Sequence, residues 1–144
     1  DEQVLDELVA HFDSSAGRAL FIDYGPADSE IGDTLQAIRQ HEKVEPLDQP
    51  GTADLTARVD FGQLARNARS LGLRAAGPVT QGDFLKGLGI EARAAALSQH
   101  APEKRAQIAR QLWRLTDAEE MGELFKLIVL DHQSLPAPPG FTAG

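Results

Sequence analysis

Ala19-Leu20-Phe21-Ile22 is a continuous apolar run closed by Asp23-Tyr24-Gly25-Pro26. It is too short for a core helix, and Gly-Pro stops it, so the run predicts a strand. With no polar alternation it reads as buried on both faces, the habit of strands in parallel sheets flanked by helices. A helix is predicted just before it, because Val4, Leu5, Leu8, Val9 and Phe12 fall on one helical face and Ser14-Ser15-Ala16-Gly17 ends the pattern. Helix followed by buried strand is α/β organisation. The C-terminal end of this strand carries Asp23 and Tyr24, and ligands of open α/β sheets gather beyond that end.

The rest of the chain extends the alternation. Residues 27–60 are polar and broken by Pro46, Pro50 and Gly51; Thr34 to His41 fits a strand or a helical turn. Asp60 and Gln63 have the spacing of a capping box. Phe61, Leu64, Ala65, Ala68 and Leu71 follow as an apolar stripe, and Gly72 supplies the stop. Leu73 to Gly77 predicts a strand ended by Pro78. Thr80 with Asp83 opens a helix, Ile90 to Gln99 forms another, and Pro102 begins a third with Ile108, Ala109, Leu112 and Trp113 on one face. Thr116 with Glu119 predicts a further cap, opening a short helix through Met121. Leu124 to Leu130 predicts a last strand, and Pro136 to Gly140 a peripheral extended tail.

A length of 144 residues suits one domain with a real core. There is no cysteine, which excludes disulfides, thiolate metal sites and cysteine nucleophiles. The net charge of −8 argues against wholesale nucleic-acid binding. No apolar run approaches the ~18 residues of a membrane span, and no basic segment followed by an apolar core opens the chain. The chain starts at Asp1 and is expected to be part of something longer. Its charge is segregated: residues 1–60 carry 4 basic and 14 acidic groups, residues 61–115 carry 9 and 3, and residues 116–144 carry 1 and 5. Such a basic middle is either a solvated helical surface or one that docks on acidic groups.

Self-contained catalytic motifs fail one by one. The stretch from Gly82 to Gly87 begins like a phosphate loop, but Leu88 stands where lysine is required. Gly87-Leu88-Gly89-Ile90-Glu91-Ala92 matches the loose dinucleotide pattern, yet a helix precedes it where a strand is needed, so a helix–helix turn is expected. His11, His41, His100 and His132 lack the helical pairing of a metal site. No Gly-x-Ser-x-Gly frames a serine. Asp54 suits a cationic ligand or a turn.

Four blocks in order carry a resemblance: Leu20 to Gly25, Pro50 to Phe61, Thr80 to Ile90, and Met121 to Lys126. Together, over roughly Asp1 to Phe141, they resemble the C-terminal part of the MidA family of S-adenosylmethionine-dependent methyltransferases, which includes the mitochondrial arginine methyltransferase that assists respiratory complex I assembly. Arg58 stands where bacterial members often show histidine. The resemblance implies an α/β fold, the C-terminal portion of a Rossmann-like class I methyltransferase sheet. Ala19–Tyr24 and Leu73–Gly77 would be its fifth and sixth strands. Leu124–Leu130 would be the seventh, antiparallel between them. About three strands are expected, with a helical insertion over about 80–122 in one unit, 1–144. The resemblance places the glycine-rich loop for S-adenosylmethionine in a part of the family this chain lacks. It implies a protein arginine acceptor, with Asp23 and Asp54 as the catalytic carboxylates and Tyr24, His41, Thr56 and Gln81 lining the cleft. It further implies a protein substrate such as a respiratory complex I subunit, a homodimer, no nucleic acid and no membrane span. The expected compartment is the bacterial cytoplasm or the mitochondrial matrix. The competing class is a non-catalytic interaction module built on the helices at 80–122.

Overall fold

The computed structural model describes residues 2–141; Asp1 and residues 142–144, the ends of the expected domain, lie outside them. Helix α1 (Glu2–Ser14) leads into β1 (Arg18–Tyr24). A flap follows, made of β2 (Gln36–Arg39), β3 (Glu42–Val44) and β4 (Asp54–Thr56). Then come α2 (Phe61–Ser70), β5 (Arg74–Thr80), and four helices: α3 (Gln81–Gly87), α4 (Ile90–His100), α5 (Arg105–Thr116) and α6 (Met121–Leu124). Strand β6 (Phe125–Asp131) closes the main sheet, whose order is β1-β6-β5.

Strand β6 runs antiparallel to both neighbours, so β1 and β5 are parallel to each other with β6 between them. That is the placement the resemblance implies for the last strand. The expectation of a first strand buried on both faces is corrected. β1 alternates between half-buried and exposed residues and pairs only with β6. Leu20 and Ile22 are 46% and 52% exposed, because β1 is an edge whose second face is uncovered. The central position belongs to β6, where Leu127 to Asp131 are all buried.

One face of the sheet is packed. Phe61, Ala65 and Ala68 of α2 and Leu5 and Phe12 of α1 meet Ile128, Leu130 and Leu73 in one cluster. The α2 stripe predicted this, and burial of apolar surface holds the layer together. On the other face Leu127 and Val129 are covered by Phe84 and by Phe141 from the tail. The tail is therefore not peripheral: Phe141 is buried, its ring 5.3 Å from Phe84.

Three more expectations are corrected. Pro78 does not end its strand; β5 runs on to Thr80 across a register irregularity between Ala76 and Val79. Thr116 does not cap a helix start but closes α5, with Oγ1 donating to Leu112 O at 2.8 Å. Residues 27–60 are not irregular throughout, since a second three-stranded antiparallel sheet, order β3-β2-β4, forms there. Six strands in two sheets replace the expected three. The flap was hidden because its strands are three or four residues long and carry one buried residue, Ala37.

Candidate functional site

The C-terminal ends of β1 and β5 and the start of β6 lie side by side. Register places Asp23 opposite Lys126, Lys126 opposite Thr80, and Tyr24 opposite Phe125. Gln81 begins α3 directly after Thr80. The structure thus brings Asp23, Tyr24 and Gln81 to one end of the sheet. Tyr24 lies edge-on to Phe125, ring centroids 6.2 Å apart. The Tyr24 backbone N–H donates to Asp23 Oδ1 at 2.8 Å, which fixes that carboxylate beside the strand end. Gln81 Nε2 donates to Leu115 O at 2.8 Å, tying α3 to the end of α5.

The flap brings the other residues. Ile38 of β2 pairs with Asp54, and Gln36 pairs with Thr56. His41 stands in the β2–β3 turn with φ 68°, beyond the Arg39–Glu42 pair. The return of the flap meets β1, where Val59 N–H donates to Tyr24 O at 3.2 Å. Thr56 is three residues from that contact, whereas His41 is at the opposite end of the flap. Gly25 permits the crossing. A Cβ there would lie 2.0 Å from Val59 O, so a side chain is excluded.

Asp60 follows the crossing and caps α2, accepting from Gln63 N–H at 2.7 Å and from Ser29 Oγ at 2.9 Å. The Gln63 N–H bond above all holds its carboxyl below the usual carboxylate range, with smaller help from Ser29 and Arg66. Arg58 pairs with Glu30 at 3.4 Å. These contacts anchor the base of the flap to α2.

Sequence reasoning missed Phe125, Lys126 and Thr80 as neighbours of Asp23. The signal was the strand pattern at 125–131, which carries no register until β1 and β5 are placed. A cleft of about 830 Å³ is lined by Val4, Phe21, Arg58, Asp60, Gln63 and Asn67, among others. None of the six expected site residues lines it. It flanks the free side of β1, between α1 and α2.

A methyl donor needs close backbone approach at a glycine-lined turn between a strand and a helix. The glycines at such places here are already used. Gly25 faces Val59 O, and Gly82, at the β5–α3 junction, would bring a Cβ to 2.7 Å from Thr116 O. Gly87 and Gly89 sit between helices, as expected, with Gly89 at φ 83°. The residues present therefore do not form the donor's cradle.

Residues 1–79 match the family model described as "Putative S-adenosyl-L-methionine-dependent methyltransferase". The chain is 40% identical over 135 residues to the mitochondrial protein arginine methyltransferase NDUFAF7 of Rattus norvegicus, covering 92% of this chain and 30% of that protein. It is 38% identical over 131 residues to the Drosophila melanogaster homolog, covering 90% and 30%. A crystal structure from Burkholderia thailandensis, described as a "likely methyl transferase" bound to S-adenosyl-homocysteine, superposes with a TM-score of 0.74 at 28% identity, over 96% of this chain and 39% of that one. The chain spans about 30% of the length of these curated relatives. With the family model matched over more than half its length, the chain belongs to this family of S-adenosyl-L-methionine-dependent methyltransferases.

Proposed function

We propose that this chain is the acceptor side of a methyltransferase that transfers a methyl group from S-adenosylmethionine to a protein arginine. The observation that carries the reading is the 40% identity to a named protein arginine methyltransferase over nearly the whole chain. The β1-β6-β5 order, with β6 antiparallel, supports treating the sheet as the C-terminal portion of a Rossmann-like class I sheet. The helical insertion over about 80–122 is then the part that carries α3, α4 and α5. The donor, when bound, supplies an electrophilic methyl group. It is held by residues outside this chain, because the glycines here are committed to packing.

The chain's own residues orient the acceptor. Asp23 and Asp54 accept paired N–H bonds from the guanidinium, the geometry carboxylates offer best. Tyr24, braced by Phe125, gives an aromatic wall. Thr56 and His41 line the flap side, and Gln81 offers its carbonyl oxygen while its amide holds α5. Productive orientation is the contribution of such groups to rate.

The acceptor class extends, in this reading, to a respiratory complex I subunit, and the assembly is a homodimer. The compartment in this reading is the mitochondrial matrix, supported by relatives named as mitochondrial, or the cytoplasm of a bacterium; cell fractionation with a specific antibody checks it. The central test is methyl transfer by the full-length enzyme to an arginine peptide. Asp23→Asn and Asp54→Asn should each lower kcat/KM at least about tenfold, the scale of one lost charge-assisted bond. Unchanged transfer in both would remove these roles. Calorimetry on the 144-residue chain should show no micromolar binding of S-adenosylmethionine; such binding would place the donor site within the chain.

A further inference from the structure

Two unpartnered surfaces of opposite charge stand on this chain. The first is the arm formed by α4 and α5. Neither helix has a buried residue. Ile90, Ala94 and Ser98 are the half-buried residues of α4, at helical spacing, and Ile108, Leu112, Leu115 and Thr116 those of α5. The outer faces are exposed. Arg93, Leu97 and His100 share one side of α4, and Ala106, Arg110 and Trp113 share one side of α5. Leu97 is 44% and Trp113 47% exposed. Residues 81–116 carry six basic and three acidic groups. Among the described residues, Arg93, Arg110 and Arg114 make no ion pair.

The second surface is the flap. Residues 27–57 carry seven acidic and two basic groups. Ala37 is their one buried residue, while Ile31, Leu35, Leu47 and Leu55 are exposed. Three short strands with so little covered apolar surface need a further layer. Within one chain, among the described residues, the flap strands make no extensive packing on α4 or α5.

We infer that the flap of one copy docks on the α4–α5 arm of a second copy, and reciprocally. The exposed leucines of the acidic flap cover Trp113 and Leu97, and Glu42, Glu45 and Asp48 face Arg110 and Arg114. A flap–arm contact made twice about a two-fold axis forms one isologous interface and closes into a dimer, each contact supplying half of a standard interface of about 1,600 Å². Aromatic and arginine anchors in an apolar centre are the composition of such interfaces. This inference rests on the homodimer proposed above and not on the methyl-transfer reading.

Sedimentation equilibrium of the 144-residue chain tests it. At 50 mM salt and tens of micromolar protein, a two-chain mass is expected, with Kd rising at least tenfold by 500 mM salt as the charges are screened. Arg110→Glu with Arg114→Glu, and separately Glu42→Lys with Glu45→Lys, should each weaken self-association at least tenfold. Mixing the two variants should restore a dimer, because each arm then meets a flap of opposite charge. All substituted positions are exposed, and the salt series needs no variant. A monomer under all conditions would overturn both the dimer and its surfaces. A dimer indifferent to salt and to both variants, or one not restored by mixing, would overturn the surfaces alone. An open-ended rise in mass with concentration would overturn the reciprocal closure. Methyl transfer by the full-length enzyme is measured apart from these outcomes.

Discussion

Asp131 has no exposed surface and is held by two arginines from the flanking strands. Arg18 Nε donates at 2.9 Å, and Arg74 donates through Nε and Nη2 at 2.8 and 2.7 Å. Both arginines also bond the tail at Pro136 O, and Arg74 reaches Leu135 O. Breaking a buried ion pair leaves an uncompensated charge at a cost of about 3–5 kcal/mol. The arginine side chains are 28% and 32% exposed, and water screens what is left. Asp131→Asn should therefore cost nearer 2 kcal/mol than 5, read as a shift in urea midpoint at constant slope. Asp60 gives a pH-dependent term. Its carboxyl titrates below its unfolded value, so its contribution is full above about pH 4 and is lost as pH falls through the lower folded value. Asp60→Ala should cost about 1 kcal/mol at pH 7, and its Tm gap to the native chain should close as pH falls through the lowered folded value. Gly25→Ala brings a Cβ onto Val59 O and should cost about 1–3 kcal/mol, with faster proteolysis of the flap as a second readout.

At the scale of elements, periodicity carried far where one face is buried. The α2 stripe, its Asp60 cap and its Gly72 stop were legible because caps and 3.6-residue spacing are local. So was the last strand, since five consecutive buried residues leave little else. The flap was not legible, because strands of three residues carry no period. Trp113 shares the spacing of Ile108, Ala109 and Leu112, yet it is 47% exposed, and the half-buried residues of α5 are Ile108, Leu112, Leu115 and Thr116. The prolines of the tail predict a peripheral segment, yet Phe141 fills the space over Leu127 and Val129. Phe141→Ala should cost about 3 kcal/mol, and hydrogen exchange should rise in α3, whose Phe84 loses its neighbour.

At the scale of the whole molecule, the exposed face of β1 separates the isolated chain from the complete enzyme. Leu20→Lys with Ile22→Lys should change the chain's stability by no more than about 0.5 kcal/mol per position, because both side chains are about half exposed on an uncovered face. In the full-length enzyme the same pair should lower methyl transfer several-fold, where a further layer covers that face. Equal behaviour in both proteins would show that nothing is docked there. Of the six expected site residues, three share the end of the main sheet and three stand on the flap, and their order along the chain foretold neither grouping. Neighbouring residues and ordered blocks are enough for helices α1 to α5, the three main strands, the cap of α2 and the family. That β1 is a half-covered edge, that the flap is a sheet, and that Asp23 stands beside Lys126 are written in no one segment. Those depend on register between distant segments, which is set by packing and by hydrogen bonds that no single segment contains.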